Sequence, residues 1–267
     1  ANADPTHLIS QVDSGEGVDY YVSFGSEVAG GGWLQLESFS LGFDQTVTLG
    51  SASGGAGAGK AMAQAVELVL GSSKTVVGLT DALVSGTALK GVTIEAIHHG
   101  GEGKEFAFER FEFDNVLIKS LQTSGDDSET ANTLSFVFGK FEEIHKDQKA
   151  DGSAGPEAKE GWDFVLNKVA SPSGAPGTAV GAKLAEQLGT DAHLEYYVRF
   201  DGVGSSSAQW LHLEDFSMGL STAASIGGKA GGISVGKPMA DEVSLLLGSS
   251  SAILQLEDDL FKGSALK

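Results

Sequence analysis

The chain has 267 residues, 41% of them hydrophobic, and a mean hydropathy near zero, so it can pack a core and is not generally disordered. With 36 Asp and Glu against 17 Lys and Arg, its formal charge is −19, which argues against the clustered cations that nucleic acids and anionic membranes need. The absence of cysteine excludes a disulfide framework, a thiol nucleophile and a thiolate metal site.

Residues 1–17 form an N-terminal segment ahead of the first strand pattern, "VDYYVSF". The next pattern, "GGWLQLESFSLGF", places Leu34, Leu36 and Phe39 close to period two and predicts a second strand. A glycine-rich stretch then reads as a loop, and Ala61 to Leu70 as a strand. "SSKTVVGLTDALVSG" predicts a helix. Ser73 can cap its start, Val76, Leu79 and Leu83 share a face, and Gly86 stops it.

Three strands follow: "KGVTIEAIHH", "KEFAFERFEFDNVLIKSLQ" and "NTLSFVFGKFEEIH". In the second, phenylalanines alternate with charged residues, a pattern that buries one face and wets the other. Its phase shifts near Arg110, as at a bulge or a corner between sheets. Gly100-Gly101-Glu102-Gly103 is expected as a hairpin loop and "TSGDDSETAN" as a longer one. From Val169 a Pro/Gly/Ala-rich stretch reads as a linker over 169–192, with a short helical turn near Leu184. No apolar run approaches the roughly 20 residues that span a bilayer. The start at Ala1, without a charged and apolar leader, is expected of a processed mature chain or of a fragment.

The chain repeats itself. "WLQLESFSLGF" answers to "WLHLEDFSMGL", "GGAGAGKAMAQAVELVLGSS" to "GGISVGKPMADEVSLLLGSS", and "LTDALVSGTALK" to "LEDDLFKGSALK". The match runs without a gap from Trp33–Lys90 to Trp210–Lys267, and "DYYVSF" matches "EYYVRF" upstream after a one-residue gap. These matches predict a tandem duplication: a unit over 18–168, and the N-terminal half of a second over 193–267. Each complete unit is expected to be mainly β, closing into a small barrel or sandwich with one helix.

Little in the sequence points to chemistry. Gly54, four residues, then Gly59-Lys60 approaches a phosphate-binding loop. Such a loop needs Ser or Thr after the Lys for Mg²⁺ and must open a helix. Here Ala61 follows in one copy and Pro238 in the other, ahead of a strand pattern. His98 and His99 are adjacent on a strand pattern, so their side chains point to opposite faces and do not share a metal. Asp126, Asp127 and Glu129, like Glu257, Asp258 and Asp259, follow no calcium-loop spacing and read as solvated acidic surface. There is no nucleophile elbow, and Trp33 and Trp210 recur as expected core or interface anchors.

The order of these features resembles the haemolysin-coregulated protein (Hcp) family, the tube-forming subunits of type VI secretion systems. The carrying motifs are "SFSLGF", "GGAGAGK", the helix "TVVGLTDALVSG", "LKGVTIEAI" and the tail "HKDQKADGSAGPEAKEGWDFVLNK", with Gln148, Asp151-Gly152, Gly155-Pro156 and Gly161-Trp162. The resemblance covers about 18–168, and the front half again from 193. It implies a β-barrel of two antiparallel sheets with one flanking α-helix, duplicated here in tandem. It also implies a non-enzymatic protein that assembles with itself into six-membered rings and stacked tubes; with two units per chain, three chains would make a pseudo-sixfold ring.

The family's long loop touches neighbouring subunits. It corresponds here to Gly54, Gly55, Gly57, Gly59 and Lys60, and in the second copy to Gly231, Gly232, Gly236 and Lys237. No cofactor or metal is implied. Secretion-apparatus components and small effectors in the channel are the other implied partners, with a secreted, extracellular location and a cytoplasmic stage before export. A secreted Hcp-like adhesin or matrix protein that forms no tube is the alternative reading.

Overall fold

The computed structural model describes residues 18–49, 56–98, 105–127, 129–173, 177–180, 182, 194–200, 210–226, 233–247 and 256. The N-terminal segment 1–17, His99, the 100–103 hairpin, the turn near Leu184, Leu260 and the acidic run 257–259 lie outside them.

The strands are antiparallel and run in two layers. β1 (Val18–Ser23) pairs with β2 (Trp33–Leu36). The chain then leaves β1 at Glu37, and β3 (Ser38–Ser40) joins the second layer. β4 (Phe43–Leu49) and β5 (Ala56–Ala63) form a two-stranded arm of their own. β6 (Val66–Gly71) returns to β3, and α1 (Lys74–Ser85) follows. β7 (Leu89–His98), β8 (Phe106–Asp126), β9 (Thr130–Val137), β10 (Lys140–Gln148), β11 (Ala154–Asp163) and β12 (Lys168–Val169) come next. The first layer reads β12-β11-β10-β8-β7-β1-β2. The second runs from β3 through β6 and β9 to β8.

β8 belongs to both layers because it turns a corner. Up to Val116 it pairs with β7, and from Leu117 it pairs with β9. Asn115 takes the turn with φ +56°, a left-handed conformation that Asn tolerates better than most residues. A separate register shift lies between Ala96 and Ile97 of β7, opposite Phe108, so the predicted phase change near Arg110 divides into a bulge and a corner.

The mainly β architecture with one flanking helix is as expected, but the sheets do not close into a barrel. The first layer ends at β12 and β2, and among the described residues the one strand shared by both layers is β8. Other boundaries also differ from the sequence reading. "NTLSFVFGKFEEIH" is two strands broken at Phe138-Gly139, where the chain changes layer. The loop expected over "TSGDDSETAN" shrinks to residues 127–129, because β8 continues to Asp126 and β9 starts at Thr130.

Between the layers lies one core. Phe113 meets Phe138, Phe136 and Phe141 at ring-centroid distances of 4.9, 5.3 and 5.6 Å. Leu34, Leu68 and Ile94 pack in the same cluster. Each such buried side chain contributes about 1.5–3 kcal/mol before entropy is counted. The helix closes the core with Leu79 and Leu83, and Gly86 ends it at φ +67°, as read from the sequence. Ser73 occupies the N-cap position but makes no side-chain cap.

The second repeat supplies β13 (Tyr196–Val198), β14 (Leu211–Ser221), β15 (Ala224–Ile226), β16 (Ile233–Val235), β17 (Met239–Ala240) and β18 (Ser244–Leu247). Leu256 is helical and packs with the cluster around Leu211.

Candidate assembly surface

The two repeats share their pairing register. Val47 faces Ala58 in the first arm, and 177 residues on Ala224 faces Val235 in the second. Likewise Phe39 faces Leu68, and Phe216 faces Leu245. The Gln64 amide donates to the Gly42 carbonyl at 2.9 Å, and the Asp241 amide to the Gly219 carbonyl at 2.9 Å. Tyr20 meets Phe39 edge to face at 5.4 Å, and Tyr196 meets Phe216 at 4.9 Å.

The same edge is used differently in the two repeats. β14 lies along the second half of β8, from Asp215 opposite Asp126 to Ser221 opposite Ser120. The Thr222 amide extends this ladder by donating to the Lys119 carbonyl at 2.7 Å, and the Leu194 amide donates to the Asp127 carbonyl at 3.2 Å. The corresponding stretch of the first repeat, Ser38 to Asp44, pairs on one side with β6 and β5. No described strand pairs with its other side. An unpaired antiparallel edge is a template for another strand.

Of the predicted interface residues that are described, none of Gly57, Gly59 and Lys60 lies in a loop. Gly57, Gly59 and Lys60 lie within β5, so the expected strand from Ala61 to Leu70 is really β5 and β6 separated at Gln64-Ala65. Cross-strand pairing with β4 outweighs the weak strand propensity of Gly and Ala. Gly59 packs closely: a Cβ there would lie 3.1 Å from the Thr46 carbonyl oxygen, and Gln45 Nε2 donates to the Gly59 carbonyl at 3.0 Å. Because this segment is a strand, it does not present the helix-opening amides of a phosphate loop. Gly236 and Lys237 follow β16. The Gly236 amide donates to the Ala223 carbonyl at 2.5 Å, and Thr222 Oγ1 donates to the Gly236 carbonyl at 2.9 Å. Gly54, Gly55, Gly231 and Gly232 lie outside the described residues.

The second arm touches the first repeat. Val235 Cγ1 lies 3.4 Å from where a Gly86 Cβ would be, at the end of α1. The matched tryptophans diverge: Trp33 is 6% exposed in a small cluster with Tyr21, Ile97 and Ala179, whereas Trp210 is 60% exposed with Arg199 over its ring at 5.3 Å. His98 stacks on Phe106, and the Asp126–Glu129 stretch is a tight turn in which the Glu129 amide donates to Asp126 Oδ1 at 3.0 Å. Among the described residues no three metal-ligating side chains converge, and no helix is long and apolar enough to cross a membrane.

Sequence reasoning missed the polar face of the first layer. Glu95, Asp114 and Glu142 are buried there. Glu95 accepts from Arg110, from Thr178 Oγ1 at 3.1 Å and from the Ala179 amide at 2.6 Å. The alternating charges of β8 signalled a wet face, and nothing in that pattern reveals a covering segment.

Two antiparallel layers sharing one long strand, with one flanking helix and a two-stranded arm, form a fold also found among solved structures. A solved structure described as a type six secretion system protein matches with a TM-score of 0.51 and 24% identity, over 57% of this chain and 99% of its own. Two others are Hcp1 from Salmonella typhimurium, at 14% identity and TM-score 0.46 over 58% of this chain and 99% of its own, and the secreted protein Hcp3 from Pseudomonas aeruginosa, at 14% and 0.37 over 54% and 98%. The family model described as "Type VI secretion system effector, Hcp" matches residues 26–145. Over that stretch the chain is similar to the Hcp family. The search of curated proteins gives no match.

Proposed function

We propose that this chain is a non-enzymatic, secreted subunit that carries two Hcp-like units and assembles with copies of itself into hexameric or pseudo-hexameric rings that stack as a tube. The observation that carries this reading is the pairing of β14 on β8. One repeat-type edge is seated on the preceding unit, while the matching edge, Ser38 to Asp44, has no described strand beside it. A contact that joins different edges of like units is head to tail, and it gives a ring when the rotation closes. A neighbouring unit offering a β8-type edge would continue the sheet at Ser38 to Asp44. The arm would then reach the next unit, as Val235 reaches Gly86 here. The other partners in this reading are secretion-apparatus components and small effectors in the channel.

The test is sedimentation and negative-stain microscopy of the purified chain over a range of concentrations. Rings of tail-tube width are expected. Gln45 of the first arm matches Thr222, whose amide reaches β8, so Gln45→Pro removes the corresponding donor and is expected to abolish rings with the fold intact. Monomers at every concentration would instead favour a secreted adhesin or matrix protein.

A further inference from the structure

The stretch that reads as a linker crosses the first layer almost strand by strand. Lys168 and Val169 pair with β11, and the Ala170 amide donates to the Gly161 carbonyl at 3.2 Å. Ser171 Oγ then donates to Glu142 on β10, and the Ser173 amide to Asp114 Oδ2 on β8 at 2.7 Å. Arg110 on β8 donates to the Gly177 carbonyl at 3.2 Å and pairs with Glu95. Thr178 and Ala179 donate to Glu95 on β7. Ala179 finally packs against Tyr21, Trp33 and Ile97, on β1, β2 and β7.

Glu95, Asp114 and Glu142 therefore each take a donor from the crossing segment, while the nearby buried Asp163 accepts from the Leu166 amide at 2.7 Å. A carboxylate buried without such donors would be strongly unfavourable, so the sheet face and the strap need one another. The chain next described after the strap is Leu194, whose amide joins Asp127 at the end of β8 and leads into the strands docked there.

We infer that Glu95 and Arg110 clamp this strap and thereby position the second repeat, so that β14 seats on the β8 edge of its own chain rather than on that of a neighbour. Glu95 is a positioning residue, acting on β14 through the strap. This rests on the reading that β14 and β8 form the unit-to-unit contact, and the test separates the two.

The experiment compares the full chain with Glu95→Gln and Thr178→Val, using trypsin cleavage after Lys168 and hydrogen exchange of peptides over 120–126, 211–221 and β7–β10. Glu95→Gln keeps the side chain's shape but weakens a charge-assisted set of bonds. Cleavage is expected to rise about tenfold or more. Protection of 211–221 and 120–126 should fall while β7–β10 stays protected. Thr178→Val removes one donor and should move the same readouts less. Faster cleavage with unchanged 211–221 protection would overturn the positioning role, as would unchanged cleavage. If Glu95→Gln unfolds β7–β10, Thr178→Val decides by the same criteria. Unprotected 211–221 amides in the wild-type chain would overturn the docking reading, and the inference with it.

Discussion

Phe216 of the second repeat lies directly opposite Gly125 of the first, and a Cβ on that glycine would come within 2.7 Å of the Phe216 ring. Tyr196, which packs edge to face on Phe216, stands 3.1 Å from the same point and hydrogen-bonds Thr130. The docking of the two repeats therefore closes over a position that accepts no side chain.

Gly125→Val should separate the repeats without disturbing the Phe113 core. Overpacking of this kind costs about 1–3 kcal/mol, and here it falls on the contact between units. Hydrogen exchange over 211–221 should accelerate while β7 and β10 keep their protection. Equal protection in the variant would show that the seam tolerates the added bulk.

Gly78 offers a test in which two effects have opposite signs. Alanine is favoured over glycine in a helix by about 1 kcal/mol. Yet a Cβ at Gly78 would lie 2.7 Å from the Ala29 carbonyl oxygen and 2.8 Å from its nitrogen. Backbone gives way less readily than a flexible side chain, so Gly78→Ala should destabilise by about 1–3 kcal/mol despite its helix propensity. Chemical denaturation reads the sign directly, and a gain in stability would mean that α1 shifts freely on the 28–30 loop.

At the corner, Asn115→Gly should be tolerated and Asn115→Val should not. A β-branched residue at φ +56° carries strain of about 1–3 kcal/mol, which glycine avoids. Thermal melts of the two variants should bracket the parent chain. Equal melting of both would mean that the corner relaxes out of the left-handed region.

The arms respond differently to bulk. Gly59→Leu should twist the β4–β5 arm, because its Cβ already meets Thr46 at 3.1 Å, while the core between the layers is untouched. The expected result is normal melting with impaired stacking of rings under the microscope. Normal stacking would remove the arm from the assembly contact.

Stability should also depend on pH through Glu109. Burial, then the nearby Glu143 charge, raises its carboxyl above the ordinary value of 4.5, with His145 opposing. The folded state thus holds a proton more tightly than the unfolded one. Its contribution is fully present below 4.5 and is lost as pH rises through the raised folded value. Glu109→Gln should flatten the stability profile just above 4.5, and an unchanged profile would assign the slope to other groups.

Much of the fold could be read locally. The helix from Lys74 to its stop at Gly86, the strand starting at Val18 and the long Phe-alternating strand are each set by periodicity and caps within a few residues. The arm was not legible, because glycine and alanine carry no strand signal and only the facing β4 makes Gly57 and Gly59 a strand. The burial of Glu95 was not legible for a different reason. The charged alternation of the neighbouring β8 reads as a wet face, whereas Glu95 beside it is covered by Thr178 and Ala179, 83 and 84 residues away in sequence. The repeat gave the pairing register of the second copy, yet it could not reveal that Trp210 would be exposed where Trp33 is buried.

That divergence of Trp33 and Trp210 has a consequence for composition. On the proposed two-unit reading, the units are made in equal number and always next to each other, and the tether holds them at about millimolar local concentration. Separate subunits would have to sort to achieve the same alternation. Here the order is inherited from the reading frame, so any ring built from this chain displays Trp210 and its Arg199 partner at every second place. One gene can thus vary the chemistry of alternate positions while the backbone around them stays the same.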